Sequence, residues 1–389
     1  MRIYQPEYYD AFTCIARECD FTCCQDWSIT VDEYTKKKWE SMQLPESIKS
    51  RALGKCPADY TKQEDDISVI KLCENGKCPF LQSDGLCSMV LQHGEESLSD
   101  TCHSFPRERH EFDNRIEYAL AVGCKEVLDL LWESDLFYLV SREDETKNVK
   151  TDTPKTEEIL FEIRDWLLDL VSDPACEVTT SLKLIFYCIL DIKEMVDLNG
   201  LENEEIAEYM EDSCADELVD EIREAVQPVQ YTFEEDNELL LDIMENYRKK
   251  NIYSDFIEPI AKRAEFYEQS DGMEDLENKL ITFFQIWMQF EEEMRILLCE
   301  EIYASCLLPG GDLDSMVMKI EWLGMEYAII RQWMFLHWEL TGKIDIEDLK
   351  ECIAVVFRMT GYSDEDIEEY LTNSFETPIW DWGYMGLIL

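Results

Sequence analysis

Apolar residues recur at three- and four-residue intervals along the chain from about residue 159 onward. In the first such segment, 159–171, this spacing places Ile159, Ile163, Trp166 and Leu170 on one helical face. The same periodicity returns in five further segments, which are 182–196, 239–247, 280–308, 316–340 and 349–359. Glycine and proline occur between these segments and are expected to end the helices. The pattern therefore predicts a larger helical-bundle domain.

The first part of the chain carries shorter and more varied patterns. Residues 67–73 alternate in polarity and are rich in β-branched side chains. Asn75-Gly76 follows them, and this pair is the strongest short signal for a hairpin because both residues tolerate positive φ. The return strand is expected to begin at Cys78. Asp32 is predicted to cap the start of a helix, since its carboxylate can accept hydrogen bonds from the first turn.

A polar segment separates these two patterns. Residues 141–158 contain one apolar residue, Val149, and this composition predicts a linker. The expected fold class is mainly α. Its predicted domains are a small cysteine-rich domain with short β-hairpins over residues 1–140 and an all-helical domain over residues 159–389.

Cysteine is concentrated near the beginning of the chain. Ten of the sixteen cysteines lie in the first 124 residues, and four of them follow the pattern C-x4-C-x3-C-C. The first residues lack the apolar core of a secretory signal, so we expect a cytoplasmic, reducing environment in which clustered thiols bind metal rather than form disulfides. The candidate metal ligands are Cys14, Cys19, Cys23, Cys24, Cys78, Cys87, Cys102 and Cys124.

Four thiolates suit a zinc ion and a [4Fe–4S] cluster equally well. Eight candidates exceed the four that one site needs, so either two sites or one site with structural thiols is possible. Adjacent side chains in extended backbone point to opposite faces, so we expect Cys23 and Cys24 not to bind the same metal atom. His103 could replace a thiol. The six later cysteines are expected to be small buried hydrophobes; they are Cys176, Cys188, Cys214, Cys299, Cys306 and Cys352.

The net charge of the chain and the absence of two nucleotide-binding motifs argue against several classes of function. The formal net charge of −51 repels nucleic acid and anionic lipid and favours a basic partner surface. No apolar run is long enough for a membrane span. The sequence contains neither a G-x-G-x-x-G after a strand nor a G-x4-G-K-[ST] loop, which argues against a Rossmann cofactor site and a P-loop. No catalytic arrangement and no cofactor-binding residue can be identified from the residues.

The cysteine-rich part carries an ordered set of short motifs. They are Phe12-Thr13-Cys14, Cys19, Cys23-Cys24-x-x-Trp27-x-Ile29, Cys78-Pro79-Phe80-Leu81-x3-Gly85-Leu86-Cys87, Leu98-Ser99-x-Thr101-Cys102-x2-Phe105-Pro106-Arg107 and Leu120-x3-Cys124. Over about its first 130 residues the chain therefore resembles the flagellin lysine N-methylase family. A broader family with a CxxCxxCC-type metal-chelating domain shares several of these elements.

The resemblance implies an activity, its cofactors and a partner. The activity is S-adenosylmethionine-dependent methylation of lysine ε-amines on flagellin, and the metal centre would be [4Fe–4S], with zinc as the alternative metal. The acidic surface would attract lysine-rich flagellin patches. Two other hypotheses explain the thiols as well. One is a non-catalytic adaptor that binds zinc or an iron–sulfur cluster, and the other is an iron–sulfur redox enzyme.

Overall fold

The computed structural model describes residues 1–49, 54–64, 67–134, 136–143, 155–202, 204–212, 216–225, 229–269 and 275–389. Most of the predicted linker, 144–154, and the predicted buried Cys214 lie outside these residues. The strands of the described part are β1 (Arg2–Pro6), β2 (Thr61–Glu64), β3 (Ile67–Ile70), β4 (Arg107–Glu111), β5 (Arg115–Leu120) and β6 (Leu139–Glu143).

Helices make up most of the described chain, so the predicted mainly α class is confirmed. In the cysteine-rich part they are α1 (Glu33–Ser41), α2 (Glu46–Lys49), α3 (Ser88–His93), α4 (Asp100–Ser104) and α5 (Lys125–Leu131). The later helices are α6 (Lys155–Ser172), α7 (Val178–Asn199), α8 (Glu204–Asp212), α9 (Asp216–Glu224), α10 (Val229–Lys250), α11 (Ser254–Gln269), α12 (Leu276–Trp287), α13 (Glu291–Ser305), α14 (Leu313–Thr341), α15 (Ile346–Thr360), α16 (Asp364–Phe375) and α17 (Trp382–Ile388).

The two sheets lie in the first 143 residues. The larger one has the strand order β4-β5-β1-β6, in which β1 is parallel to β5 and antiparallel to β6. Strands β4 and β5 form a hairpin across Asp113-Asn114, where Phe112 N–H donates to the carbonyl oxygen of Arg115 at 2.9 Å. Strands β2 and β3 form a separate antiparallel pair.

The hairpin predicted across Asn75-Gly76 is only partly right. The turn exists, because Cys73 N–H donates to the carbonyl oxygen of Lys77 at 2.8 Å. The expected return strand does not pair with β3, which pairs with β2 instead. Cys78 N–H donates to the carbonyl oxygen of Cys24 at 2.8 Å. The segment after the turn therefore joins the early cysteine loop, and the next residue, Pro79, has no N–H for a ladder.

Local helix signals agree with the structure. The carboxylate of Asp32 accepts a hydrogen bond from the N–H of Thr35 at 2.8 Å, as its predicted capping role requires. The segment predicted as one helix over 280–308 is instead two helices, α12 and α13. They are separated by a 3-10 turn over Met288–Phe290, which lets Trp287 and Phe290 both reach the core.

Helix α14 is the centre of the helical part. It contacts α7, α10, α11, α12, α13, α15, α16 and α17, and it is buried on all sides along most of its length. Buried charged side chains lie along it, among them Glu321, Glu326 and Arg331. None of the described helices is both long and apolar enough to cross a membrane.

The cysteine-rich part and the helices share one hydrophobic core. Phe12, Phe21 and Leu120 belong to the same cluster of buried residues as the helical side chains. The ends of the predicted linker are ordered: residues 141–143 belong to β6 and residues 155–158 begin α6. The sheet is therefore packed against the helices rather than separated from them.

Candidate metal centre

Seven of the eight predicted ligands lie close enough together for their charges to interact. Burial is the main cause of the raised pKa of Cys19, Cys87, Cys102 and Cys124, and the charge of Cys23 contributes to each shift. Burial also raises the pKa of Cys78, which the charges of Cys102 and Cys87 raise further. Cys24 hydrogen-bonds to the thiol of Cys23. The fold thus brings thiols from five separate segments of the chain into one region.

The remaining candidates lie elsewhere. Cys14 is exposed, and no contact of the described residues links it to another thiol. His103 is exposed as well. No disulfide joins any of the cysteines in the part of the chain that the structure describes. The thiols of the cluster are therefore held together by the fold and not by covalent bonds between them.

Short helices aim backbone amides at two of the sulfurs. Cys87 is the residue before α3, and the N–H groups of Met89 and Val90 point to its sulfur. Cys124 occupies the same position before α5, where the N–H groups of Glu126 and Val127 point to its sulfur. Amides directed at sulfur stabilise negative charge, which is the environment that metal-bound thiolates need.

A turn provides the same arrangement at Cys78. Its sulfur receives the N–H groups of Phe80 and Leu81, within the run Cys78-Pro79-Phe80-Leu81. The N–H of Leu81 also closes the turn by donating to the carbonyl oxygen of Cys78 at 3.0 Å. At Cys102 the hydroxyl of Ser99, the cap of α4, interacts with the thiol. At Cys78 and Cys102, residues of the motif itself thus interact with the sulfur.

Without a cation, burial and neighbouring thiols raise the pKa of Cys23, Cys78, Cys102 and Cys124 and favour their protonated form. Burial raises the pKa of Cys102 to about 11 and that of Cys124 to about 12. The pKa of Cys23 is also raised, first by its hydrogen bond with Cys24 and then by burial. A bound metal cation would reverse these shifts, because it stabilises the thiolate form directly.

The expectation for Cys23 and Cys24 rested on a wrong backbone assumption. Both residues lie in a turn rather than in extended chain. The N–H of Cys24 donates to the hydroxyl of Thr22 at 3.1 Å, which supports that turn. Because the two thiols contact each other, their side chains do not point to opposite faces.

Donor chemistry and coordination geometry give different answers on how well the site suits a metal. The thiols are of the type that zinc and iron–sulfur clusters use, and they share one region with amides directed at them. Within the described ranges, however, no three His, Cys, Asp or Glu side chains are already arranged to hold a metal ion. The residue types and their common location therefore fit a cysteine-bound metal centre. No three sulfurs of the described residues are as close together as the ligands of one metal ion would be.

Arg358 of α15 connects the helical part to the cysteine turns. Its guanidinium donates to the carbonyl oxygens of Phe21 at 3.1 Å, Thr22 at 3.2 Å and Gly123 at 2.8 Å. It also lies 4.1 Å from the ring centroid of Phe21. One buried side chain thus holds the loop before Cys23 against the loop before Cys124. Sequence reasoning missed this residue, since a single arginine in a helical pattern carries no motif.

Comparison with known proteins finds one family model and several named relatives. The family described as the FliB lysine N-methylase C-terminal domain matches residues 164–388. A lysine-N-methylase of Salmonella choleraesuis (strain SC-B67) is 32% identical over 130 residues, which is 32% of this chain and 31% of that protein. The lysine-N-methylase of Salmonella typhimurium has the same identity and coverage. The chain thus spans about a third of the length of these two relatives.

A third relative is covered more completely. The flagellar biosynthetic protein FliU of Salmonella muenchen is 32% identical over 126 residues, which is 32% of this chain and 73% of that protein. No solved structure matches this chain.

Proposed function

The chain belongs to the FliB lysine N-methylase family, and we propose that it transfers methyl groups from S-adenosylmethionine to lysine ε-amines of flagellin. The observation that carries the proposal is the family match over residues 164–388, joined to relatives that are named for lysine methylation and flagellar biosynthesis. The reaction would take place in the cytoplasm, before flagellin is exported.

The chemistry needs no radical and no metal-bound intermediate. The lone pair of the lysine nitrogen forms a bond to the methyl carbon while the carbon–sulfur bond of the sulfonium breaks in line. Holding the two reactants in that geometry supplies roughly 7–11 kcal/mol of the barrier. The lysine must also be neutral when it attacks, which desolvation or a nearby carboxylate favours.

The substrate fits the charge of the chain. With 86 acidic residues against 35 basic ones, the protein attracts lysine-rich surfaces at long range. Such attraction raises the rate of encounter rather than the rate of the chemical step. It also falls with ionic strength, because salt screens exposed charges.

We further propose that the clustered thiols hold a [4Fe–4S] centre, with zinc as the alternative. The proposed ligands are drawn from Cys19, Cys23, Cys24, Cys78, Cys87, Cys102 and Cys124, whose sulfurs share one region. The centre would hold together turns that the small sheet and short helices hold only weakly, because metal binding stabilises the folded form. Anaerobic analysis of iron, sulfide and zinc in the pure protein separates the two metals.

The activity is tested with purified protein, S-adenosylmethionine labelled at the methyl group, and flagellin from the same organism. Label on flagellin lysines supports the proposal, and the absence of transfer by protein with its metal intact contradicts it. The alternative is a metal-binding adaptor without catalysis, which agrees with the missing nucleotide-binding motifs. Calorimetry that detects no binding of S-adenosylmethionine would favour the adaptor.

A further inference from the structure

A cleft among the later helices has aromatic walls and a carboxylate at its base. It is formed by α10, α12 and α14, and its empty space, including the part that is open to solvent, is about 280 Å³. Four of the nine described residues that line it are phenylalanines: Phe233, Phe283, Phe284 and Phe335. Phe335 meets Phe233 and Phe283 edge to face at centroid distances of 5.6 and 5.4 Å. Phe284 is 37% exposed and gives the cleft contact with solvent.

The polar base of the cleft is incompletely satisfied. Asp236 is buried, and its Oδ2 accepts a hydrogen bond from Arg331 Nη2 at 2.8 Å. Its other oxygen, Oδ1, is buried without a hydrogen-bond partner among the described residues. Buried polar atoms are nearly always paired in folded proteins, so an unpaired carboxylate oxygen in a cleft calls for a donor. Burial raises the pKa of Asp236 to about 7, although Arg331 opposes the shift.

The arginine cannot supply the missing bond. Its Nη2 also donates to the carbonyl oxygen of Ile388 at 2.7 Å, and its Nη1 donates to that of Leu389 at 3.3 Å. These bonds hold the guanidinium against α17, on one side of the carboxylate. The neighbouring Gln332 is likewise engaged, because its Nε2 donates to Asn237 Oδ1 at 3.1 Å. None of the described residues therefore donates to this oxygen.

We propose that this cleft binds the ammonium end of the substrate lysine, with Asp236 Oδ1 accepting a hydrogen bond from the lysine nitrogen. This inference rests on the proposed function, which supplies lysine as the substrate. Arg331 already donates to Asp236 Oδ2 and lies 5.9 Å from the ring centroid of Phe284, so only Oδ1 lacks a donor within the described part of the chain. A primary ammonium group carries hydrogen-bond donors for that oxygen, and aromatic faces attract its charge.

The test uses n-butylammonium, which has the length of a lysine side chain, and 1-butanol as its uncharged match. Binding to the full-length protein with its metal is measured by calorimetry, and the position is found by crystal soaking. We expect n-butylammonium to bind at the cleft and 1-butanol to bind at least 10-fold more weakly. Equal binding of the two probes, or a bound ammonium group away from Asp236, would overturn the inference.

Three variants complete the experiment. Asp236→Asn and Phe284→Ala should each weaken n-butylammonium binding about 10-fold or more and raise the KM for flagellin, with the KM for S-adenosylmethionine unchanged. Glu238→Gln, an exposed residue of the same helix, should match the wild type. If Asp236→Asn does not fold, Phe284→Ala decides, because its side chain lies at the exposed edge.

The two proposals can fail separately. A wild-type protein that binds n-butylammonium in the cleft but transfers no methyl group contradicts the methylase function and leaves an ammonium site. A wild-type protein that methylates flagellin, while Asp236→Asn and Phe284→Ala keep the wild-type KM for flagellin, contradicts the cleft as the lysine site and leaves the methylase function intact.

Discussion

Arg164 of α6 and Glu117 of β5 form a bidentate ion pair in the interior of the protein. The guanidinium Nη1 lies 2.6 Å from Oε2 of Glu117, and Nη2 lies 2.9 Å from Oε1. Both residues are almost completely buried, at 1% and 2% exposure. Paired hydrogen bonds of this geometry are strong and directional. The pair therefore ties the sheet of the cysteine-rich part to the first helix of the helical part.

Breaking this pair should destabilise the whole protein. Among the described residues, removing one partner leaves a buried charge with only its longer ionic contact, which is Arg115 at 3.4 Å for Glu117 and Asp165 at 3.2 Å for Arg164. Glu117→Gln and Arg164→Met should therefore each lower the free energy of unfolding by about 3 kcal/mol. The Glu117→Gln/Arg164→Met double variant should lose less than the sum of the single losses. Urea unfolding measures both effects. Lys249→Ala, which removes an exposed pair with Glu245, should change stability by less than about 1 kcal/mol. Additive losses would show that the pair is not coupled.

The convergence of the thiols leads to a ligand prediction. Cys19→Ser, Cys23→Ser and Cys78→Ser should each reduce the metal content per chain, because all three lie in the cluster. Cys14→Ser should keep the metal, since Cys14 is exposed and apart from the others. Cys188→Ala and Cys299→Ala, in the helical core, are matched controls that should also keep it. Wild-type iron and zinc in all three cluster variants would contradict the assignment.

Arg358 is predicted to support the metal centre from a distance. Arg358→Ala removes its hydrogen bonds to the carbonyl oxygens of Phe21, Thr22 and Gly123. Because hydrogen bonds from charged groups contribute about 1.5–3 kcal/mol each, the loss of stability should reach about 3 kcal/mol or more. Metal content should fall as well.

The matched control for this variant is Arg223→Ala, whose ion pair with Asp220 is exposed. It should unfold at the wild-type urea midpoint. Arg358→Lys should recover only part of the loss, since an ammonium group cannot reach three carbonyls as a planar guanidinium does. A fully stable, metal-loaded Arg358→Ala protein would remove Arg358 from this role.

Buried glutamates should make stability depend on pH. Burial raises the pKa of Glu326 from 4.5 to about 8, although the hydroxyl of Thr360 donates to its carboxylate at 2.5 Å. Between pH 4.5 and about 8, Glu326 keeps its proton in the folded protein, whereas the same carboxyl in the unfolded chain has released it. Its stabilising effect is fully present below pH 4.5 and is lost as the pH rises to about 8, by about 1.4 kcal/mol per pH unit for one group.

Glu326→Gln tests this dependence, because the amide keeps an acceptor for Thr360 and cannot ionise. The variant should be more stable than the wild type at pH 8 and should lose less stability between pH 5 and pH 8. Glu368→Gln, at an exposed position of α16, should follow the wild-type curve. Chemical unfolding at several pH values provides the comparison. A Glu326→Gln curve parallel to the wild type throughout would contradict the assigned pKa.

Several features could be predicted from the residues alone because they depend on near neighbours in the chain. The apolar spacing over 316–340 marks α14, and the carboxylate of Asp32 caps α1 as expected. The mainly α class follows from the same local periodicity. The cysteine motifs also identified seven thiols that lie close together. Residues near in the chain interact with the sulfurs of Cys78, Cys87, Cys102 and Cys124.

Other features depend on contacts between residues far apart in the chain. Periodicity shows which face of a helix is buried but not what covers it, so the pairing of Arg164 with Glu117 could not be read from either segment. The predicted partner of β3 was wrong for the same reason: turn residues do not specify which segment pairs with a strand. The contacts of Arg358 with the cysteine loops, and of Asp236 with Arg331, likewise form only when distant segments pack together. Packing of distant segments sets these contacts, and no local pattern encodes it.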